Sequence, residues 1–177
     1  MSTRLLLIRH GQSTWNAARR WQGHSDVPLS DLGRDQARRA ARALAAETID
    51  ALYASDLVRA LETAQIVGEP HGLEPARDPR LRELDVGAWC GLTRDEITAR
   101  WPEALLAFDR GDPDARPTGG ETRAELAHRV QAALEDLAAR HAGATLAIVS
   151  HGGVLAAITG SFGHANAEIV EWRWPRP

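Results

Sequence analysis

The chain has 177 residues and a formal net charge of −3; 44% of its residues are hydrophobic and 25% charged, which suits one globular domain with a real core and argues against disorder. That charge exerts no global pull toward nucleic acid or acidic lipid, so an anionic ligand needs a local cluster of cations. No apolar run reaches the roughly 18 residues of a membrane span, the opening MSTRLLLIRHGQ lacks the apolar stretch of a signal peptide, and the single cysteine, Cys90, excludes an internal disulfide and fits a reducing cytoplasm.

Residues 5–8, LLLI, read as a buried parallel strand that ends at once in Arg9, His10 and Gly11. Ser30 predicts an N-cap for a helix over 31–46, with Leu32, Gln36, Ala40 and Leu44 at helical spacing. Residues 49–54 read as a second strand. Ser55 then caps a helix running to about Val67, stopped by Glu69-Pro70-His71-Gly72. Thr93 with Glu96, and Thr122 with Glu125, form capping-box patterns. Between them, residues 110–120 read as a loop. The helix after Thr122 sets Leu126, Val130, Leu134 and Leu137 on one stripe. Residues 145–149 form a third apolar strand ending in Ser150-His151-Gly152-Gly153, and a helix follows over 154–159. Val170, Trp172 and Trp174 alternate with Glu171 and Arg173, the pattern of a half-exposed edge strand.

Alternating strands and helices predict a three-layer α/β/α sandwich over 1–177, with a mostly parallel central sheet and an antiparallel edge strand. Ligands in such folds sit beyond the carboxyl ends of the strands. Three segments end there in polar residues: Arg9-His10-Gly11, Ser55 with Arg59 one turn later, and His151-Gly152. If those ends meet, two arginines offer forks that match phosphate oxygens. The same cations disfavour protonation of His10, leaving a neutral imidazole able to attack phosphorus. Gly11 lets the backbone approach closely, and Gly11 and Gly152 are expected at the substrate. His151, at a helix start, adds a donor where negative charge develops. The leaving oxygen needs a proton, and LRELDVGAWCGLT supplies Glu83 and Asp85. A carboxyl beside bound phosphate is held protonated by like-charge repulsion, as a general acid requires.

The segment LIRHGQSTWN resembles the signature of the histidine phosphatase, or phosphoglycerate mutase-like, superfamily. WQGHSDVPLSDLGRDQA, SDLVRALETA, LRELDVGAWCGLT, GGET and VSHGG resemble further blocks of that family, in its order, from residue 5 to 153. The resemblance implies that His10 is the phosphorylated nucleophile and that Arg9, Arg59 and His151 complete the phosphate pocket. It implies Glu83 as the proton donor, and Asn16, Gln22 and Gly23 as contacts of the phosphoryl group or substrate. It implies no metal and no cofactor. Two features depart from the family pattern: Trp89-Cys90-Gly91 stands where Trp-Glu-Gly is common, and the stretch after His151 is short.

The resemblance leaves three activities to weigh. One is a metal-independent phosphomonoesterase acting on a small sugar phosphate or phosphoglycerate-like ester, one a phosphomutase, and one a non-catalytic phosphate-binding module. The interval from Trp89 to Gly120 carries Arg94, Arg100, Arg110 and Arg116 but no adjacent basic pair, which favours water as the acceptor. All five matched site residues are present, which disfavours a retired scaffold. His24, His71, His128, His141 and His164 read as surface or loop histidines, and Cys90 as a small packed residue. Trp89 is weighed as pocket wall against core. The expected partner is a small phosphomonoester, with neither nucleic acid nor membrane, and the apolar-rich last strand is open to pairing with a second copy.

Overall fold

The computed structural model describes residues 2–112 and 114–175. Five strands form one sheet in the order β3-β2-β4-β1-β5, where β1 is Thr3–Arg9, β2 Ala51–Ala54, β3 Ala76–Arg77, β4 Thr145–Ser150 and β5 Ile169–Trp174. All neighbours are parallel except β5, which runs antiparallel to β1 at the edge. The helices are α1 (Thr14–Ala17), α2 (Asp31–Leu44), α3 (Val58–Gly68), α4 (Arg94–Arg100), α5 (Pro102–Asp109), α6 (Arg123–Arg140) and α7 (Gly152–Thr159).

The apolar run of β1 is divided between two cores because successive side chains point to opposite faces. Leu6 and Ile8 pack with Ala40 and Leu44 of α2 and with Ala60, Ala64 and Val67 of α3. Leu5 and Leu7 pack with Leu126, Val130, Leu134 and Leu137 of α6 and Val154 and Leu155 of α7. Sheet residues thus contribute to both layers, giving the three-layer sandwich. The stripe predicted for α6 is the buried stripe, and both predicted capping boxes form, at Thr93 and Thr122.

Two local expectations are corrected. Leu32 is exposed, and α2 instead buries Gly33, Ala37, Ala40, Ala41 and Leu44. The small side chains let α2 lie close to the sheet and to the loop after β1. Ser55 does not cap α3. Leu57 holds the N-cap position, and the Asp26 carboxylate accepts the Val58 N–H at 2.6 Å. The two-residue strand β3 and the short helix α5 had no clear apolar period. Pro113, within the predicted loop, lies outside the described residues.

Candidate active site

Strand register decides which side chains meet. Arg9 of β1 pairs with Ser150 of β4, so His10 and His151 leave adjacent parallel strands at the same level. Their ring centroids are 5.0 Å apart at 64°. On the other side of β4, Ala54 pairs with Val149, and Ser55 comes next. Three neighbouring strands therefore deliver His10, His151 and Ser55 to one end of the sheet.

His10 is 2% exposed. Its Nδ1 lies 2.6 Å from the Gly11 carbonyl oxygen, which can only accept, so the proton sits on Nδ1 and the lone pair on Nε2. Burial pushes the His10 pKa well down, and the Arg59 and Arg9 charges add to this, against the hydrogen bond to Gly11. His151 is also held neutral, by burial first and then by Arg59 and His10. Its Nε2 is 2.9 Å from Ser55 Oγ, and its buried Nδ1 engages no side chain or backbone group.

Arg59 stands in the first turn of α3 with 0% exposure. It donates to the carbonyls of Ser25 at 2.7 Å and Gly23 at 2.9 Å. Burial lowers its pKa to about 10, still cationic at neutral pH. Arg9 donates to the His164 carbonyl, and burial lowers it as well. Neither guanidinium forms an ion pair within 4.0 Å among the described residues, and the Nε of each is buried and unengaged. Two unneutralised guanidiniums and the Nδ1 of a neutral imidazole form a donor set suited to an anion with several oxygens.

Glu83 is clamped through its backbone. His24 Nε2 and Arg129 Nη2 each lie 2.8 Å from the Glu83 carbonyl, and Arg129 also pairs with Glu121. The Glu83 carboxylate accepts the N–H of Leu84 at 2.8 Å and of Gly153 at 3.1 Å. Arg9, His10, Arg59 and Glu83 line one cavity of about 600 Å³. His151 is fully buried and packs edge-on against His10, its Nδ1 unengaged.

Asn16, Gln22 and Gly23 also line this cavity. Ser13 N–H donates to Asn16 Oδ1 at 3.1 Å and Ser13 Oγ to Gln22 Oε1 at 2.7 Å, so each amide offers its NH₂ group elsewhere. Gly23 has φ +49°, and a Cβ there would stand 2.7 Å from Val86 Cγ2. Gly11 and Gly152, expected at the substrate, are not in the wall. A Cβ on Gly11 would fall 2.3 Å from the Gly33 carbonyl oxygen, so its close approach is to α2. Gly152 opens α7 beside Arg9. Trp89 is fully buried, edge-on to Trp21 at 5.4 Å and to Phe108 at 5.6 Å, so it is core.

The sequence reading missed several contributors. Ser55 is among the polar strand ends in that reading but has no role there, because it reads as a cap. Arg129 had no signal, because an arginine on a long helix reads as solvated surface. Asn166, which donates to the His10 carbonyl at 3.1 Å, lies 156 positions away along the chain. His164 is buried, its ring bonded to Glu168 and Thr159.

The fold and this donor set define an enzyme of phosphate esters. The chain belongs to the histidine phosphatase superfamily (branch 1), whose family model matches residues 5–174. It is 41% identical over 163 residues to glucosyl-3-phosphoglycerate phosphatase of Mycolicibacterium vanbaalenii, covering 88% of this chain and 72% of that protein. It is 44% identical over 155 residues to phosphoglycerate mutase-like protein 4 of Arabidopsis thaliana, covering 85% and 67%. The solved structure of a mycobacterial glucosyl-3-phosphoglycerate phosphatase with VO3 superposes with a TM-score of 0.89 at 36% identity, over 95% of this chain and 90% of that one.

Proposed function

We propose that this chain hydrolyses small phosphomonoesters in two displacements, without a metal, through a phosphohistidine on His10. The observation that carries the reading is the Nδ1 contact of His10 to the Gly11 carbonyl at 2.6 Å, which turns the Nε2 lone pair into the nucleophile. Nε2 attacks phosphorus, the bond to the ester oxygen breaks, and Glu83 gives that oxygen a proton. Water then attacks the phosphohistidine, Glu83 takes the proton back, and the N–P bond breaks to release inorganic phosphate and free His10. Arg9, Arg59 and His151 hold the equatorial oxygens as charge redistributes.

The names of the relatives point to phosphorylated glycerate derivatives and kindred small metabolites as substrates. Water as acceptor, rather than a second alcohol as in a mutase, fits the segment between Trp89 and Gly120. There Arg94 pairs with Asp109 and Arg116 with Glu125, and none of the four arginines at 94, 100, 110 and 116 lines the cavity. We place the reaction in the cytoplasm; no helix among the described residues is long and apolar enough to cross a membrane.

The test is rapid quenching after a labelled phosphomonoester is added. An acid-labile, base-stable label on the wild type, absent from His10→Ala, is expected. Full turnover by His10→Ala overturns the reading. Chelation by EDTA leaves the rate unchanged, and a loss restored by a divalent cation removes metal independence.

A further inference from the structure

The wall of the cavity also carries Arg19, Trp21, Phe108, Arg123, Leu126 and Phe162. The Arg123 guanidinium lies over the Phe108 ring, 4.2 Å from its centroid, and 5.1 Å from that of Phe162. Phe162 is 70% exposed, a large aromatic that covers the arginine rather than the core. Cation–π contacts to both rings hold the guanidinium near the cavity while its N–H groups remain able to fork an anion. No carboxylate among the described residues lies within 4.0 Å of Arg123 or Arg19, whereas Arg20 beside them is engaged by Glu96 at 3.1 Å. Arg19 is moreover held at φ +54°, unusual for a residue with a side chain, and lines the cavity from that position.

Acceptors are scarce by contrast. Glu83 is the only carboxylate side chain in the wall among the described residues, and the amide oxygens of Asn16 and Gln22 are engaged by Ser13. The wall's side chains thus offer many more donors than acceptors, a surplus that favours an anionic group over a neutral polyol. An apolar body ending in a carboxylate suits the same wall. The body lies against Trp21, Phe108 and Leu126, and the carboxylate meets the stacked guanidinium.

We propose that the leaving group of the preferred substrate is an apolar, aromatic-compatible alcohol bearing a carboxylate, which Arg123, clamped by Phe108 and Phe162, binds. This rests on the hydrolysis reading above and specifies its substrate class. The same wall ranks a carboxylate-bearing ester above a sugar phosphate.

The experiment compares 4-carboxyphenyl phosphate with its uncharged counterpart 4-carbamoylphenyl phosphate, using p-nitrophenyl phosphate as the control for hydrolysis. Wild-type enzyme is expected to favour the carboxylate ester roughly tenfold or more in kcat/KM, mostly through KM, as a charge-assisted hydrogen bond implies. In Arg123→Gln the carboxylate-to-carbamoyl ratio falls to about one, and Arg123→Lys restores part of it, because charge returns without the planar fork. KM for glucose 6-phosphate is expected above that for 4-carboxyphenyl phosphate. A ratio near one in the wild type, an unchanged ratio in Arg123→Gln, or the reverse KM order overturns the subsite. If p-nitrophenyl phosphate is hydrolysed while the ratio is one, only the subsite falls. If wild-type enzyme hydrolyses none of the esters, the hydrolysis reading falls with it.

Discussion

A Cβ at position 153 would stand 2.3 Å from Glu83 Oε1, so the Glu83 carboxylate occupies the space that any residue other than glycine would claim. Gly153 also donates its N–H to that oxygen at 3.1 Å. One residue thus gives the acid both its room and a hydrogen bond.

Gly153→Ala therefore displaces Glu83 without unfolding the protein, since the displaced atom is the end of a flexible side chain. We expect kcat on alkyl phosphates, whose leaving groups are poor, to fall roughly a hundredfold. The loss on p-nitrophenyl phosphate is expected to be smaller. Glu83→Gln should show the same ordering. Equal losses on both esters, with an unchanged melting temperature, would move the acid to another residue.

Ser55 is predicted to set the tautomer of His151. Its Oγ accepts the Leu57 N–H at 3.3 Å, which leaves the hydroxyl hydrogen to donate to His151 Nε2 at 2.9 Å. The His151 proton then stays on Nδ1, as a donor for a phosphoryl oxygen. Ser55→Ala is expected to lower kcat and weaken orthovanadate inhibition together, roughly tenfold. Ser55→Thr recovers both. Inhibition by orthovanadate at wild-type strength in Ser55→Ala would show that packing alone orients the ring.

Two buried neutral imidazoles make stability pH-dependent. His10 and His151 have folded pKa values well below 6.5, the ordinary value they regain on unfolding. Their contribution is complete above pH 6.5 and is lost as pH falls from there toward the folded values, because the unfolded chain binds protons that the folded chain refuses. Each adds a slope of about 1.4 kcal/mol per pH unit in that window. Denaturant titrations between pH 7.5 and 5 measure it, and His151→Gln should flatten the slope. A slope indifferent to that substitution would mean that His151 is protonated in the fold. Activity on the acid side should likewise not follow an ordinary imidazole titration near 6.5, since His10 stays neutral below it.

The α6 stripe is predicted to bear much of the core on its face of the sheet. Leu137 is fully buried there. Leu137→Ala should cost about 2–5 kcal/mol through lost transfer energy and the cavity left behind. Chemical denaturation reads this directly. A cost under about 1 kcal/mol would mean that the helix collapses into the space.

Much of the fold was legible because its signals are local. The apolar runs of β1 and β4, the α6 stripe and the two capping boxes rest on residues within a few positions of one another. Ser55 misled because a serine before a helix is ambiguous: it fits a cap as well as a strand-end ligand. Leu32 misled because its spacing fits an apolar stripe, whereas α2 turns its small residues Gly33, Ala37 and Ala41 to the interior. That choice reflects the close approach of Gly33 to Gln12, where a Cβ would stand 2.0 Å from the carbonyl oxygen.

From the residues alone came the alternation of elements, the chemistry available at three strand ends and, through the ordered motifs, the family. Distance along the chain hid the rest. That His10 and His151 stand 5.0 Å apart follows from the register between β1 and β4, and Arg129 and Gly153 meet Glu83 only after α6 and α7 close on the sheet. Local patterns report the free energy of single segments. The positions of Glu83, Ser55 and Arg123 are set by packing between segments, and no single segment encodes it.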